Sequence, residues 1–265
     1  MSASPEYAAE IELWRRRRVE RLVSESGWLS LTGLFWLAAG DNSVGADPSS
    51  AVVLPGGAPR RAGTIRLGGG GAVFLPADGG DPMPLASDAA DSPTVVAFGT
   101  ARFHLVERSG RLAARVRDVD HVARRSLRPI PAFPVDPAWR FEARLEPYEP
   151  PRRIPVPSIL GTVELETSPG AVVFSAEGRE LRLDPILERG QTDWWIVFGD
   201  RTNGSETYAG GRFVYVVPPV GGRTILDFNK AYNPPCVFTP HSTCPLPPSQ
   251  NRLPIRVEAG EKTYV

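Results

Sequence analysis

Between Leu226 and Leu253 the chain gathers one acid, Asp227, three asparagines, Asn229, Asn233 and Asn251, one lysine, Lys230, one phenol, Tyr232, and both cysteines of the protein, Cys236 and Cys244. Prolines at 234, 235, 245, 247, 248 and 254 make this segment a poor helix or interior strand, so its polar groups are there for placement rather than for propensity. In Thr224-Ile225-Leu226-Asp227-Phe228-Asn229 a strand period puts Leu226 and Phe228 on one face and Asp227 with Asn229 on the other. A buried face would force the carboxylate to be hydrogen-bonded or perturbed, which suits a base or an orienting acid; a solvent-facing strand is the plainer alternative. Cys236 is a candidate nucleophile if a cation such as Lys230 or Arg212 lowers its pKa. A local bridge to Cys244, and two small buried residues under a proline-rich lid, are equally open readings.

A second polar cluster lies upstream, Asp200-x-Thr202 followed by Thr207-Tyr208 and Gly211-Arg212. It joins two strongly apolar runs, and a loop between such strands emerges at one end of a sheet, where short polar side chains converge. Arg212 offers a planar fork for a carboxylate or phosphate, and Tyr208, Thr207, Asn229 and Tyr232 offer hydrogen bonds. The alternative is a turn on Asn203-Gly204 in which Asp200 and Thr202 bond local backbone. Asp227, Cys236 and Asp200 are thus the catalytic candidates, and Arg212, Tyr208, Asn229, Thr207 and Tyr232 the substrate-binding ones. Glu261 is a second-rank carboxylate. Cys236, His241 and Cys244 fall short of the four ligands of a structural zinc, so no metal and no cofactor are expected.

These residues must be held by a mainly β framework. Ser4-Pro5-Glu6 starts a helix, with Ser4 as N-cap and proline where its missing N–H costs nothing. Tyr7, Ile11, Trp14 and Leu22 recur at helical spacing to about Ser24, and Arg15 to Arg18 are assigned to the solvated face. The four arginines ahead of the run Trp28 to Leu37 are not an export signal, because polar residues interrupt them and the run is too short to span a bilayer. From Asp41 onward Gly and Pro punctuate short runs rich in Val, Ile, Leu and Phe, the pattern of many strands joined by tight turns. Expected strands include Thr64–Leu67, Arg102–Glu107, Leu112–Arg117, Trp139–Leu145, Gly161–Glu166, Ala171–Ser175, Trp194–Phe198, Arg212–Val217, Thr224–Asn229 and Leu253–Val257. The glycine run at 68–71 lacks a following helix and a Lys-Ser/Thr pair, so it is a turn and not a phosphate loop. The proline-rich stretch from Arg128 to Pro134 divides the chain into residues 1–130, a helix plus a β lobe, and residues 131–265, a β lobe of sandwich or barrel type carrying the polar site.

These motifs together resemble the bacterial and archaeal family named domain of unknown function 1684. The resemblance rests on Gly27-Trp28-Leu29-Ser30-Leu31, Trp139-Arg140-x-Glu142-Ala143-Arg144-Leu145, the Asp200 to Arg212 cluster, Asp227 through Cys236, Cys244-Pro245, Asn251-x-Leu253-Pro254 and Ala259-Gly260-Glu261-Lys262. It implies no activity, substrate or cofactor. It does imply a boundary near residue 130 with the shared site in the second half, since shorter members resemble only that half.

The 265 residues carry 30 basic and 30 acidic side chains, a balance without the footprint of a nucleic-acid or anionic-membrane binder. Two cysteines in a chain of this size suit a reducing cytosol. The expectation is a cytoplasmic, metal-independent enzyme doing acid–base or hydrolytic chemistry on a polar or anionic small molecule. Its rival is a non-catalytic ligand-binding or interaction module in which the same motif is structural. Nothing in the sequence speaks to oligomeric state.

Overall fold

The computed structural model describes residues 3–264. It is mainly β, with one α-helix and fifteen strands among the described residues. The helix, α1 (Pro5–Val23), begins as its cap signal requires: the Tyr7 amide donates to Ser4 Oγ at 3.2 Å and the Ala8 amide to the Ser4 carbonyl at 2.9 Å. The strands are β1 (Leu31–Trp36), β2 (Gly40–Gly45), β3 (Val52–Val53), β4 (Gly63–Gly68), β5 (Gly71–Pro76), β6 (Met83–Leu85), β7 (Val96–Phe98), β8 (Ala101–Arg108) and β9 (Arg111–Asp118). There follow β10 (Arg140–Pro157), β11 (Val163–Ala176), β12 (Arg179–Leu183), β13 (Trp194–Phe198), β14 (Arg212–Val216) and β15 (Arg223–Asp227).

Backbone contacts gather into two compact units. One comprises Met1–Val19, Arg128–Phe238 and Thr243–Val265; the other comprises Glu20–Leu127 and Thr239–Ser242. The helix as far as Val19 therefore groups with the C-terminal β region, where the division at residue 130 had put it with the first lobe. The N-terminal unit holds two sheets, ordered β1-β9-β8-β7 and β3-β2-β4-β5-β6, around a core that includes Ile65, Phe74, Phe103 and Val116.

The C-terminal unit holds the sheet β12-β11-β10-β15 and the hairpin pair β13-β14. Prolines were expected to keep strands short here, yet β10 runs from Arg140 to Pro157 through Pro147, Pro150, Pro151 and Pro155. The ladder with β11 slips between Pro147 and Arg152, so Pro150 and Pro151 fall where pairing is already interrupted, while Pro147 and Pro155 lie within the paired stretches. Gly161–Glu166 and Ala171–Ser175, expected as two strands, are parts of the single strand β11.

Phe228 sits at the centre of this unit's core, fully buried, with ring centroids of Phe198, Phe174 and Phe141 at 5.1, 5.7 and 6.0 Å. That anchor fixes the flanking Asp227 and Asn229. Trp194, Ile196 and Phe198 point into the same core, while Trp195, Val197 and Phe213 on the other side of the hairpin join a second cluster with Ile154, Val156 and Ile186. Leu253–Val257, expected as a strand, forms no ladder, although Leu253, Ile255 and Val257 are buried. Alternation marked its buried face correctly; its backbone bonds go to Gly199 and Arg201 at an isolated bridge and then, at Val257, to the Asp200 and Arg212 side chains.

Candidate functional site

The eight candidate residues fall into three separate hydrogen-bonded clusters and one packing position. The first cluster forms where β15 ends. Asp227 caps the short turn Phe228–Lys230, its Oδ1 accepting from the Asn229 amide at 3.0 Å. The Tyr7 hydroxyl of α1 lies 2.9 Å from both carboxylate oxygens, so its single proton is held between them. Asn229 Nδ2 donates to the Asp136 carbonyl at 2.8 Å and to Tyr7 Oη at 3.0 Å, and its Oδ1 accepts from the Asp136 amide at 3.0 Å. Burial and the adjacent Asp227 charge push the Tyr7 phenol well above the usual tyrosine range, so it remains a donor. Asp227 and Asn229 do share a buried site, but through a cap beyond the strand end and not through strand alternation. Every group here is spent on clasping α1 to the sheet, and Lys230 Nζ adds an ion pair to Glu10 Oε1 of the helix at 2.6 Å.

The second cluster is a buried ion pair with a turn wrapped around it. Arg212 Nη2 lies 2.9 Å from Asp200 Oδ2, and neither side chain is exposed. The turn is the one built on Asn203-Gly204: Asp200 Oδ1 accepts from the Thr202 amide at 2.8 Å and the Thr202 hydroxyl at 2.6 Å, and Thr202 Oγ1 meets Thr207 Oγ1 at 2.8 Å. The guanidinium also donates to the backbone carbonyls of Val257, Ala259 and Glu261. Those are carbonyls that a neighbouring strand would otherwise have to satisfy, which explains how the 257–261 stretch lies buried without a ladder. Gly260 allows the close approach, since its φ is +77° and a Cβ there would lie 2.4 Å from the Ala231 carbonyl oxygen. Both Nη groups of Arg212 are spent on these contacts, and its Nε is buried without a hydrogen-bond partner. Burial lowers its pKa while Asp200 opposes the shift.

Glu261 extends this cluster. It is buried, 3.4 Å from Arg18 Nε, and its Oε2 accepts from the Asn233 amide at 2.7 Å. Burial raises its pKa and the Arg18 charge pulls it back. Arg18 in turn donates to the Asn233 carbonyl at 2.9 Å and lies over the Tyr232 ring, 4.6 Å from its centroid. Arg18 is therefore a correction: at 6 % exposure it is not on a solvated face. Its signal was present in the sequence, because residues 7, 11, 14, 18 and 22 form one stripe of a helix, and Arg18 interrupts four apolar or aromatic neighbours on that stripe. Tyr7 on the same stripe is a phenol at a core position, which needs a partner. Tyr232 itself is a packing residue, with Phe213 at 5.7 Å, Tyr215 at 6.1 Å and Trp14 at 6.3 Å.

The third cluster differs from these. Cys236 stands in the short turn Pro235–Val237, half-buried, with its Sγ 3.5 Å from Tyr208 Oη. Its amide donates to Cys244 Sγ at 3.1 Å, and both cysteines are free thiols. Hydrogen bonding from the Cys244 thiol, then from Tyr208 and from the amides of Cys236 and Val237, outweighs burial and brings the Cys236 thiol down to about 7. The activating groups are thus hydroxyl, thiol and backbone, not the cations Lys230 or Arg212 expected from the sequence. Burial and the neighbouring Cys236 push Tyr208 up, so its hydroxyl keeps its proton and can turn it toward a thiolate. Gly210 lets the phenol lie across its own loop, since a Cβ there would come within 2.5 Å of the ring. Among the described residues no three His, Cys, Asp or Glu side chains come together as a metal-binding set.

The span 125–262, which contains all three clusters except the side chains contributed by α1, matches the family model described as "Protein of unknown function (DUF1684)". The chain belongs to this family. It is similar to an uncharacterised protein from Haloarcula marismortui known from a solution NMR structure, with 28 % identity over 53 % of this chain and 79 % of that one, at a TM-score of 0.44. No curated protein matches. No helix among the described residues is long and apolar enough to cross a membrane.

Proposed function

We propose that the protein is a metal-independent enzyme of hydrolytic type acting on a polar small molecule, with Cys236 as its nucleophile and Tyr208 as the group that holds the thiolate. The observation that carries this reading is that Cys236 is half-buried with its sulfur hydrogen-bonded to Tyr208 Oη at 3.5 Å, beside the Cys244 thiol. With its pKa at about 7 the thiolate is already well populated at neutral pH, so the site needs no histidine base. Attack of the sulfur on an acyl carbon forms a thioester and expels the leaving group; water then cleaves the thioester and returns the thiolate.

Asp227, Asp200, Arg212, Asn229 and Thr207 support this site as architecture. Apart from the buried Nε of Arg212, their polar atoms are committed to one another, to neighbouring side chains and to the backbone, which is also the observation that favours the rival reading of a non-catalytic module with a structural motif. Two free thiols suit a reducing cytoplasm, and balanced charge suits a small-molecule partner over nucleic acid or a membrane surface.

The test is acylation by p-nitrophenyl acetate followed by intact mass and peptide mapping. The reading expects a burst of nitrophenolate and an acetyl group on Cys236, absent in Cys236→Ala and still formed, more slowly, in Cys244→Ala. Acetylation confined to lysines, or none at all, contradicts it.

A further inference from the structure

Cys244 takes no covalent part in the hydrolysis, although its hydrogen bond helps to lower the Cys236 pKa. A second thiol within hydrogen-bond reach of a reactive sulfur, with no disulfide between them, also opens an oxidation chemistry that acyl transfer does not use. The two cysteines also differ in access. Cys236 is half-buried, whereas Cys244 is 3 % exposed.

The chain between them is short and turn-rich: Val237 and Phe238 bond back to the carbonyls of Pro234 and Pro235 at 3.1 and 2.9 Å, which fixes the Cys236 end of the loop. The Cys244 end is fixed by the carbonyl of Cys244 accepting from the Ile159 amide at 3.0 Å and by the Leu246 amide donating to Pro157 at 2.7 Å. Both sulfurs are therefore presented from anchored backbone. The Cys236 amide, donating to Cys244 Sγ at 3.1 Å, stabilises negative charge on the second sulfur as well, so each partner of the pair has a donor for its thiolate.

We propose that Cys236 and Cys244 form a redox couple that reduces hydroperoxides, Cys236 being attacked by oxidant first and Cys244 resolving it. This rests on the reading of Cys236 as a reactive thiolate and adds a partner, a substrate class and a second product to it. In the first step the Cys236 thiolate attacks one oxygen of a hydroperoxide. The S–O bond forms, the O–O bond breaks, sulfur loses two electrons, and the departing oxygen leaves as water or alcohol after taking a proton. In the second step the Cys244 sulfur attacks the Cys236 sulfenic acid; the S–S bond forms, the S–O bond breaks, and hydroxide leaves with a proton as water. A low-molecular-weight thiol completes the cycle by two exchanges, ending as its own disulfide and restoring both cysteines.

The arrangement matches what such chemistry needs. The first cysteine is half-buried and partly ionised at neutral pH, and the resolving cysteine is buried yet adjacent. Tyr208 Oη, 3.5 Å from Cys236 Sγ, remains protonated and stands where it can donate to the departing oxygen.

The experiment treats the full chain with one equivalent of hydrogen peroxide at neutral pH, with and without dimedone, and reads intact mass under non-reducing conditions with peptide mapping. The expected result is loss of two hydrogens in mass and a peptide linking Cys236 to Cys244, reversed by a small thiol. Cys244→Ser is expected to stop at a dimedone-trapped sulfenic acid on Cys236, and Cys236→Ser to give neither product. Counting free thiols in the unaltered chain after peroxide, from two to none, tests the same point without a variant. A wild-type chain that accumulates the Cys236 sulfenic acid, or goes on to the sulfinic acid, without forming the bridge overturns the pairing while leaving Cys236 a nucleophile. A chain in which peroxide and dimedone leave Cys236 untouched, and which acyl donors also leave untouched, overturns both readings.

Discussion

In the N-terminal unit charged side chains pair at the surface, Arg60 with Asp47, Arg66 with Asp41 and Arg102 with Glu25; Arg115 is the buried exception. In the C-terminal unit Arg18, Arg212, Asp200, Asp227 and Glu261 are buried and joined to backbone as well as to each other. The sheets of the first unit supply partners for most of its backbone, so charge can stay in water. The second unit must hold the 253–261 segment, a helix and several proline-rich turns without ladders, and buried guanidinium and carboxamide groups do that work. A buried pair gains little against a hydrophobic replacement of the same shape, but leaving one partner alone is costly. The polar residues that look most like an active site in the sequence are therefore the ones whose loss should unfold the protein. The half-buried thiol corner should be the place where substitution is tolerated.

The largest effect is expected from Arg212→Ala, which strands Asp200 and three carbonyls away from water. It should cost about 3–5 kcal/mol or prevent folding, read by urea denaturation, whereas Arg66→Ala in the N-terminal unit should leave the midpoint unchanged. Equal, small effects from both would break the contrast between the units. Tyr7→Phe comes next. It removes the donor to Asp227 and one acceptor for Asn229 while keeping the ring, and a loss of about 1–3 kcal/mol is expected on the same measurement.

A smaller effect is expected from pH in the N-terminal unit. Burial first, then the charges of Arg117 and Arg115, depress His104 from 6.5 to about 4 in the folded protein, with Asp88 opposing and Arg108 adding to the shift. Above 6.5 the residue is neutral in both states and costs nothing. As pH falls from 6.5 to about 4 the unfolded chain takes up a proton that the folded chain refuses, so stability drops through that window and levels off below it. Thermal melts should show a fall of a few degrees that His104→Gln flattens.

Much of the framework was legible from local chemistry. Ser4-Pro5 marked the helix start, and β13 and β14 follow apolar runs that no other element accommodates. What was not legible came from long-range polar partners. Leu253–Val257 has a strand's pattern but pairs only briefly with Gly199 and Arg201, because at Val257 the Asp200 and Arg212 side chains take over its backbone groups. Asp227 and Asn229 were placed on one face by alternation, whereas the strand stops at Asp227 and capping brings them together. Arg18 sat in a run of four arginines whose charge masked its position on the apolar stripe. Cys236 was legible as a candidate, but its neighbours were not: Tyr208 lies 28 residues upstream, and only the folded turn brings the two side chains together.

The central claim is that Cys236, and not the buried acids, is the reactive group of this unit. The direct measurement is the rate of iodoacetamide alkylation at Cys236 as a function of pH, followed by peptide mass in the native protein and in Tyr208→Phe. The native rate should rise with a midpoint at about 7 and the variant's should move toward the ordinary thiol range, because the hydroxyl that holds the thiolate is gone. A native midpoint at about 8.5 or above, indistinguishable from that of the variant, or a Cys236 that does not label before the protein unfolds, would contradict the account.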